Sequence, residues 1–242
     1  MKHLAWNCRG LGNPWTVHEL HLLVKEKSLD VIFLSETKCR RERIEKIRDR
    51  IKFECSFSVD SLGKSGGLAF LWKEGVEAKL DSYSQHHISL LINASNSSFK
   101  RTLTGFYGQP ITAKRNESWD LLRLIHSRIQ TPWLCMGDFN EIMYQEEQFG
   151  SNTRPFKQME EFRLALFDCG LMDIGYIGSI FTWCNRREGS ELTKSRLDRA
   201  LINEDWANLF DVNQAYVLPV QCSDHNPLVI QCVNSTQEEA PK

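Results

Sequence analysis

The chain lacks the features typical of disulfide scaffolds, zinc modules and membrane proteins. Its eight cysteines include no C-x-x-C pair, and no Cys/His block has the spacing of a zinc finger. No apolar run approaches the roughly 20 residues of a membrane span, and no secretory pattern opens the chain. We therefore expect reduced, mostly buried thiols in a soluble intracellular protein without a membrane partner.

The chain also lacks an excess of charge of either sign. Lys and Arg number 30 and Asp and Glu number 31, which gives a formal net charge of -1. Nucleic-acid-binding domains usually carry a basic surface, so the composition alone does not support that class of partner. A bound divalent cation would weaken this objection, because the cation itself neutralises the phosphate on which it acts.

Internal repeats and linkers rich in Pro, Gly or Ser are missing as well. With 41% apolar residues in 242, the chain can bury one large core. We predict a single domain over residues 1–233 and a solvated tail over 234–242. Strand-like runs outnumber helical patterns and alternate with them, which favours two packed sheets with helices outside.

The hydrophobic periodicity places the individual elements. We predict strands at 3–7, 31–36, 66–72, 87–93, 103–110 and 131–140, and three or four more in the C-terminal third. We predict helices at 41–51, 115–129 and 156–169, the last ended by Gly170. Another helix is expected to open at Thr16, with Glu19 completing a capping box.

Polar side chains lie at the ends of these apolar strands. Asn7, Glu36, Asp138 and Asn140 each close a strand, and the segment 223–225 (SDH) stands just before another one. Any one of them alone could simply cap a turn. Sites are assembled at strand ends because the strands hold side chains rigidly, so five such places with oxygen or imidazole donors indicate a site.

The same residues belong to an ordered series of motifs: W-N-x-R-G (6–10), S-E-T (35–37), G-G-L (66–68), F-Y-G-x-P (106–110), G-D-F-N-E (137–141), T-W (182–183), R-L-D-R (196–199) and S-D-H-N-P-L (223–228). In this order they resemble the endonuclease/exonuclease/phosphatase superfamily, which includes apurinic/apyrimidinic endonucleases, pancreatic-type deoxyribonuclease, inositol polyphosphate phosphatases and sphingomyelinases. The segments NCRGLGNPWTV, GDFNEI, RLDRAL and SDHNPL are similar to the endonuclease domain of plant LINE-type (non-LTR) retrotransposons. The resemblance covers residues 2–233.

This resemblance implies a four-layer α/β sandwich, in which two packed mixed β-sheets are flanked by helices. It implies a Mg²⁺-dependent phosphodiesterase that nicks DNA by in-line attack of an activated water, with Mn²⁺ as a substitute ion. Such a domain normally precedes a reverse transcriptase, so we expect a separated domain, a truncated copy or a domesticated fragment, monomeric and nuclear. Two alternatives stay open: the same fold acting on a small phosphoester or a phospholipid, and a catalytically inactive remnant.

The resemblance also implies roles for single residues. The candidate metal ligands are Glu36 first, then Asn7, Asp138, Asn140, Asp224 and His225, since hard Mg²⁺ prefers oxygen ligands. Asn140 would orient the water or donate its amide to the developing charge. His225 is expected to pair with Asp198, and either Asp138 or His225 acts as the base; the sequence does not choose between them.

Other motif residues have competing interpretations. Tyr107 would hydrogen-bond the phosphate or assist the leaving oxygen, unless it is only a packed strand aromatic. Arg9 stands where many family members have Asp or Asn; it has no acceptor atom, so a phosphate contact replaces a metal contact. Trp183, Arg186 and Arg187 form a DNA-facing loop, or else a core Trp followed by a charged turn. Lys38, with the arginines after it, is expected on a solvated helix face.

Overall fold

The computed structural model describes residues 1–63, 65–93, 100–151 and 153–234. Except for Asn234, the predicted tail 234–242 lies outside the described residues. The strands of the described part are β1 (Lys2–Asn7), β2 (Val31–Ser35), β3 (Cys55–Val59), β4 (Leu68–Trp72), β5 (Glu77–Tyr83), β6 (His87–Asn93), β7 (Lys100–Tyr107), β8 (Trp133–Asp138), β9 (Gln148–Phe149), β10 (Met172–Asp173), β11 (Ile177–Gly178), β12 (Trp183–Cys184), β13 (Lys194–Ser195), β14 (Asp198–Ile202), β15 (Val212–Val217) and β16 (Leu228–Val233). Its α-helices are α1 (Pro14–Lys27), α2 (Arg41–Arg50), α3 (Asn116–His126), α4 (Phe156–Asp168) and α5 (Glu204–Leu209).

The long strands form two mixed sheets. One has seven strands in the order β11-β15-β16-β1-β2-β4-β3, and the other has six in the order β10-β14-β8-β7-β6-β5. A small third sheet has the order β12-β13-β9. The pairs β1–β2 and β7–β8 are parallel, whereas their outer neighbours β16 and β14 run antiparallel to them.

The hydrophobic core is divided into layers, as the alternation of side chains along the strands requires. Ala5, Phe33, Phe70, Leu103 and Met136 belong to the core between the two large sheets. On the outer face of the seven-stranded sheet, strand residues 4, 6, 32 and 34 pack against α1 and α2. On the outer face of the six-stranded sheet, α3 and α4 cover residues 106, 133 and 135. The predicted four-layer α/β sandwich is thus confirmed.

The strand registers place the polar strand ends at one edge of the sandwich. In the seven-stranded sheet Asn7 lies beside Ser35, at the carboxyl ends of β1 and β2. In the six-stranded sheet Tyr107 lies beside Asp138 at the ends of β7 and β8, and Asp198 opens the antiparallel β14 opposite Asp138. Both sheets therefore contribute side chains to the same end of the molecule.

Most predicted elements are confirmed, with differences at their boundaries. Helix α1 begins two residues before Thr16: Asn13 is its N-cap and accepts a hydrogen bond from the backbone N–H of Trp15, and Pro14 occupies the first turn. The predicted capping box at Thr16 is wrong, because an Asn followed by Pro is the stronger start signal. The pattern missed β3, β5 and β15, which lie at or next to sheet edges and alternate with polar residues.

The cysteines agree with the expectation of reduced, mostly buried thiols. All eight cysteines are free thiols, and five of them are buried. Among the described residues, none of the helices has the length and apolar character that crossing a membrane requires.

The two large sheets approach closely where Phe33 of β2 faces Gly105 of β7. A Cβ atom added at Gly105 would overlap the Phe33 ring, and Phe33 is fully buried and packed on Phe70 with ring centroids 5.1 Å apart. The ring therefore has no room to retreat, and the glycine sets the distance between the sheets.

Gly105→Ala should lower the free energy of unfolding by about 1–3 kcal/mol, as overpacked cores do. Urea denaturation measures this change. Gly12→Ala is the matched control, because an added Cβ there meets nothing within 4 Å, and it should change stability by less than about 0.5 kcal/mol. A Gly105→Ala protein as stable as the wild type would contradict this account of the packing.

Candidate active site

The carboxylates of the two sheets are joined by the side-chain amide of Asn7. Its Nδ2 donates to Glu36 Oε1 at 3.2 Å and to Asp138 Oδ2 at 2.9 Å, and its Oδ1 accepts from the backbone N–H of Arg9 at 3.3 Å. As a direct metal ligand, one of the roles predicted from the motifs, Asn7 would present its side-chain oxygen. In the structure the amide nitrogen faces the carboxylates, so Asn7 positions the two acids.

Glu36 lies at the mouth of the site and is held by three donors. Besides Asn7, the hydroxyl of Tyr107 donates to Oε1 at 3.0 Å, and the ammonium of Lys38 lies 3.2 Å from Oε2. Burial alone would raise the pKa of Glu36, but these donors outweigh it and lower that pKa. Lys38 is not on a solvated helix face as expected, because it precedes α2 and pairs with Glu36.

His225 lies between two carboxylates. Its Nδ1 is 2.8 Å from Asp198 Oδ2 and its Nε2 is 3.7 Å from Asp138 Oδ2. All three residues are buried, and their donor atoms lie close enough together to hold a metal ion. Burial opposes the charged imidazole, but Asp198 and Asp138 raise the pKa of His225. Burial also raises the pKa of Asp138, and His225 opposes that rise.

Asp138 and Asn140 are fixed by the turn after β8. The backbone N–H of Asn140 donates to Asp138 Oδ1 at 2.9 Å, and the Asn140 side chain donates to the Gly108 carbonyl at 2.8 Å. Glu141, the last residue of G-D-F-N-E, is fully buried and points elsewhere. It pairs with Arg115 at 2.6 Å and with Arg154 at 2.9 Å, so its role is structural.

Asp224 and Arg9 form the other end of the site. The Arg9 guanidinium forms an ion pair with Asp224 Oδ2, and the same oxygen accepts the indole N–H of Trp183 at 3.0 Å. The side chain of Asp224 is 7% exposed and that of Arg9 is 54% exposed. Arg186 donates to the carbonyl of Ser223, and Arg187 lies 3.3 Å from Glu191 at the surface.

Left-handed backbone conformations cluster around these residues. Arg9, Glu36, Lys38 and Asn140 have φ between 49° and 56°, which non-glycine residues seldom adopt. Lys38 and Thr37 donate backbone N–H groups to Gly66 and Gly67. A Cβ at Gly67 would lie 2.5 Å from Thr37 Oγ1, so the G-G-L motif permits this close approach. Such strain is typical of sites whose surroundings fix them.

The motifs are also bonded to one another. The Trp6 indole donates to the His225 carbonyl at 3.0 Å, and Ser223 Oγ both donates to the Asn7 carbonyl and accepts from the His225 N–H. Thr182 Oγ1 accepts the backbone N–H groups of Leu197 and Asp198 at 2.9 and 3.0 Å. These hydrogen bonds fix His225 and Asp198 relative to Asn7.

This site and fold match one family of proteins. A model of the Endonuclease/Exonuclease/phosphatase family matches residues 4–225. The chain belongs to this family. Family members are hydrolases that act on phosphoesters, and a comparison with curated proteins found no match.

Several solved structures share the family fold. An AP endonuclease from Leishmania major superposes with a TM-score of 0.74 at 17% identity, over 96% of this chain and 87% of that one. The endonuclease domain of TRAS1, a telomere-specific non-LTR retrotransposon, gives 0.68 at 16% identity, over 96% and 97%. A 3'-5' exonuclease (NExo) from Neisseria meningitidis gives 0.72 at 16% identity, over 96% and 100%.

In this family member two residues next to the site were not anticipated. Beyond Lys38, His86 stacks on Tyr107 with ring centroids 6.0 Å apart, and its Nδ1 lies 2.9 Å from the Tyr107 carbonyl. His86 lies in the bend before β6 and is half-buried, and the neighbouring His87 is buried. No motif contains His86, so the sequence held no signal for its contact with Tyr107.

The two arginines of R-L-D-R have a structural role that supports Asp198. Arg196 lies 3.0 Å from Glu147 and 2.8 Å from Asp173, and Arg199 lies 2.6 Å from Asp173 and also pairs with Glu147. Both arginines are buried. Buried charges remain stable only while all of them are paired, so this cluster fixes the start of β14, where Asp198 lies.

Arg199→Met should lower the free energy of unfolding by about 3–5 kcal/mol, because Glu147 and Asp173 would keep buried charge with one partner fewer. Urea denaturation again gives the value. Arg123→Met removes a surface arginine that pairs with Asp120 and Asp168, and this control should cost about 1 kcal/mol or less. If both variants lost the same stability, the buried cluster would not have the assigned role.

Proposed function

We propose that this protein is a Mg²⁺-dependent phosphodiesterase that nicks DNA, an endonuclease of the non-LTR retrotransposon type. The observation that carries the proposal is the convergence of Asn7, Glu36, Asp138 and the His225–Asp198 pair from two different sheets. Substrate DNA, a monomeric state and a nuclear location belong to the same proposal. The likeness of its motifs to plant LINE-type endonucleases favours this substrate.

The donor set fits a hard divalent cation. Glu36 offers a carboxylate at the mouth, with 21% of its side chain exposed. Its Oε2 pairs with Lys38, whose flexible side chain can move away. Asp138, Asn140, Asp224 and His225, the other candidate ligands, lie around the same end of the molecule. Bound Mg²⁺ would neutralise phosphate charge and favour attack by water; Glu36 is the ligand we propose first.

The protein's own residues perform the remaining steps. Asp138 takes the proton from the attacking water, because the two hydrogen bonds from Asn7 and Asn140 hold its carboxylate in place. Asn140 orients that water through Oδ1, since its Nδ2 donates to Gly108. His225, oriented by Asp198, donates from Nε2 to the negative charge that develops on the phosphate.

Two other groups of residues have supporting parts. Tyr107 fixes Glu36 through its hydroxyl, because burial and the Glu36 charge raise the pKa of Tyr107 and keep it protonated. Arg9, Trp183, Arg186 and Arg187 are the proposed DNA contacts: Arg9 and Trp183 contact Asp224, and Arg186 and Arg187 follow β12. Cationic side chains of this kind position a nucleic-acid backbone without reading its sequence.

Glu36→Gln and Asp138→Asn should each reduce Mg²⁺-dependent nicking of supercoiled plasmid by about 10²-fold or more. Both changes keep the shape of the side chain, so the fold is retained. Glu45→Gln, on the exposed face of α2, should cut like the wild type. Nicking that persists in EDTA, or two active-site variants as fast as the wild type, would refute the proposal.

The same preparation tests the alternatives of substrate. We expect nicked plasmid. We expect neither inorganic phosphate from inositol polyphosphates nor released headgroup from phospholipid vesicles. Release of phosphate or headgroup without nicking would assign a small-phosphoester or phospholipid hydrolase. Absence of all three activities, with a cooperative thermal unfolding transition, would identify an inactive remnant.

A further inference from the structure

The site contains a fixed protein cation at the position of Arg9. The sequence places there a residue without an acceptor atom, and the structure directs its guanidinium onto Asp224 Oδ2. The Trp183 indole bonds the same oxygen at 3.0 Å. The other oxygen, Oδ1, is buried and has no hydrogen-bond partner in the described part of the chain.

This arrangement leaves little for a second divalent ion to bind at Asp224. Mg²⁺ keeps most of its waters and is bound by one or two carboxylates. One Asp224 oxygen has two donors already, and the other is closed to solvent. An ion there would also lie beside the Arg9 guanidinium, and two such cations repel strongly away from bulk water.

The charges around the site lead to the same result. The carboxylates of Glu36, Asp138, Asp198 and Asp224 face Arg9, Lys38 and His225. Arg9 compensates one of these four negative charges and Lys38 another, but Lys38 would move away when Glu36 binds the metal, which leaves three. A single divalent cation compensates two of the three, and a second one would reverse the sign of the site's charge.

The Arg9 guanidinium also has N–H groups that do not bond to Asp224. A guanidinium has five N–H groups in a planar fork that matches phosphate, and only Nη1 is bonded to Asp224. More than half of the Arg9 side chain is exposed, and Arg9 lies two residues after Asn7, which contacts Glu36 and His225. The remaining N–H groups are therefore available to an anionic ligand.

We infer that Arg9, held by Asp224 and Trp183, takes the place of a second divalent cation: the site binds one divalent ion and presents Arg9 to the substrate phosphate. The inference rests on the proposed function and refines it. It contrasts the two ends of the site: the flexible Lys38 side chain would yield to a metal at Glu36, whereas Arg9 would stay paired with Asp224.

Counting bound Mn²⁺ by electron paramagnetic resonance of the free ion tests the first part. The wild type, Arg9→Lys and Arg9→Met should each bind one Mn²⁺, because Asp224 alone does not make a second site. Arg9→Asp should bind two, since a second carboxylate then stands beside Asp224. Thermal unfolding checks that each variant is folded. A folded Arg9→Asp protein that binds one ion overturns the inference. If Arg9→Asp does not fold, Arg9→Glu replaces it in the test.

DNA binding in EDTA tests the second part without any metal. Arg9→Met should weaken the binding of a fluorescent duplex about 10-fold or more, the usual effect of losing a charged hydrogen bond. Arg9→Lys should recover part of the loss, and Arg50→Met, on the exposed face of α2, should leave the affinity unchanged. Equal affinity of Arg9→Met and the wild type contradicts the phosphate contact.

The results also separate this inference from the proposed function. A wild type that nicks plasmid only with Mg²⁺ but binds two Mn²⁺ ions refutes the single-ion site and leaves the endonuclease intact. A wild type that binds no Mn²⁺ and does not nick refutes both.

Discussion

The hydrogen bonds of one amide, that of Asn7, hold together the end of the molecule that carries the candidate site. Asn7 ends the central strand of one sheet and donates to Glu36 of its own sheet and to Asp138 of the other. Two carboxylates that approach each other repel, and an amide N–H₂ group between them supplies a donor to each. The separation of the acids therefore depends on the distance between the sheets, which the contact of Phe33 with Gly105 fixes. The packing of the core therefore constrains the geometry of the site.

The motifs of the family are understood best as pairs of groups that bond to each other. The W-N motif is hydrogen-bonded to the S-D-H motif through the Trp6 indole and the Ser223 hydroxyl. The T-W motif is hydrogen-bonded to the R-L-D-R motif through the Thr182 hydroxyl. R-L-D-R is fixed from its other side by the buried cluster of Glu147 and Asp173. Each chemical group at the site is thus supported by a residue from a distant segment, so that an ordered series of short motifs identifies the fold better than any one of them.

The sequence was sufficient to predict the layers of the fold and which residues come together at the candidate site. Both follow from where the apolar runs end. Strand ends at Asn7, Glu36 and Asp138 could be located from the alternation alone, and His225 and Asp198 from the motifs. The orientation of the Asn7 amide could not be predicted, since it depends on two acceptors, Glu36 and Asp138, from distant segments. Lys38 was misassigned because the charged run after it has helical character. The edge strands β3 and β5 were missed because their apolar residues alternate with polar ones.

The near-zero net charge of the chain no longer argues against an anionic substrate once the charges are located. Arginines 115, 154, 196 and 199 are paired with Glu141, Glu147 and Asp173, so three of these four positive charges are compensated away from the site. Arg9, Arg186 and Arg187 lie instead on loops at the catalytic edge and are exposed. Because screening in salt limits the reach of surface charges to about 10 Å, a phosphate at this edge responds to these nearby cations and not to the sum over the whole chain. The positive charges that a phosphodiester would meet at this edge are held in place by the same motifs that build the site.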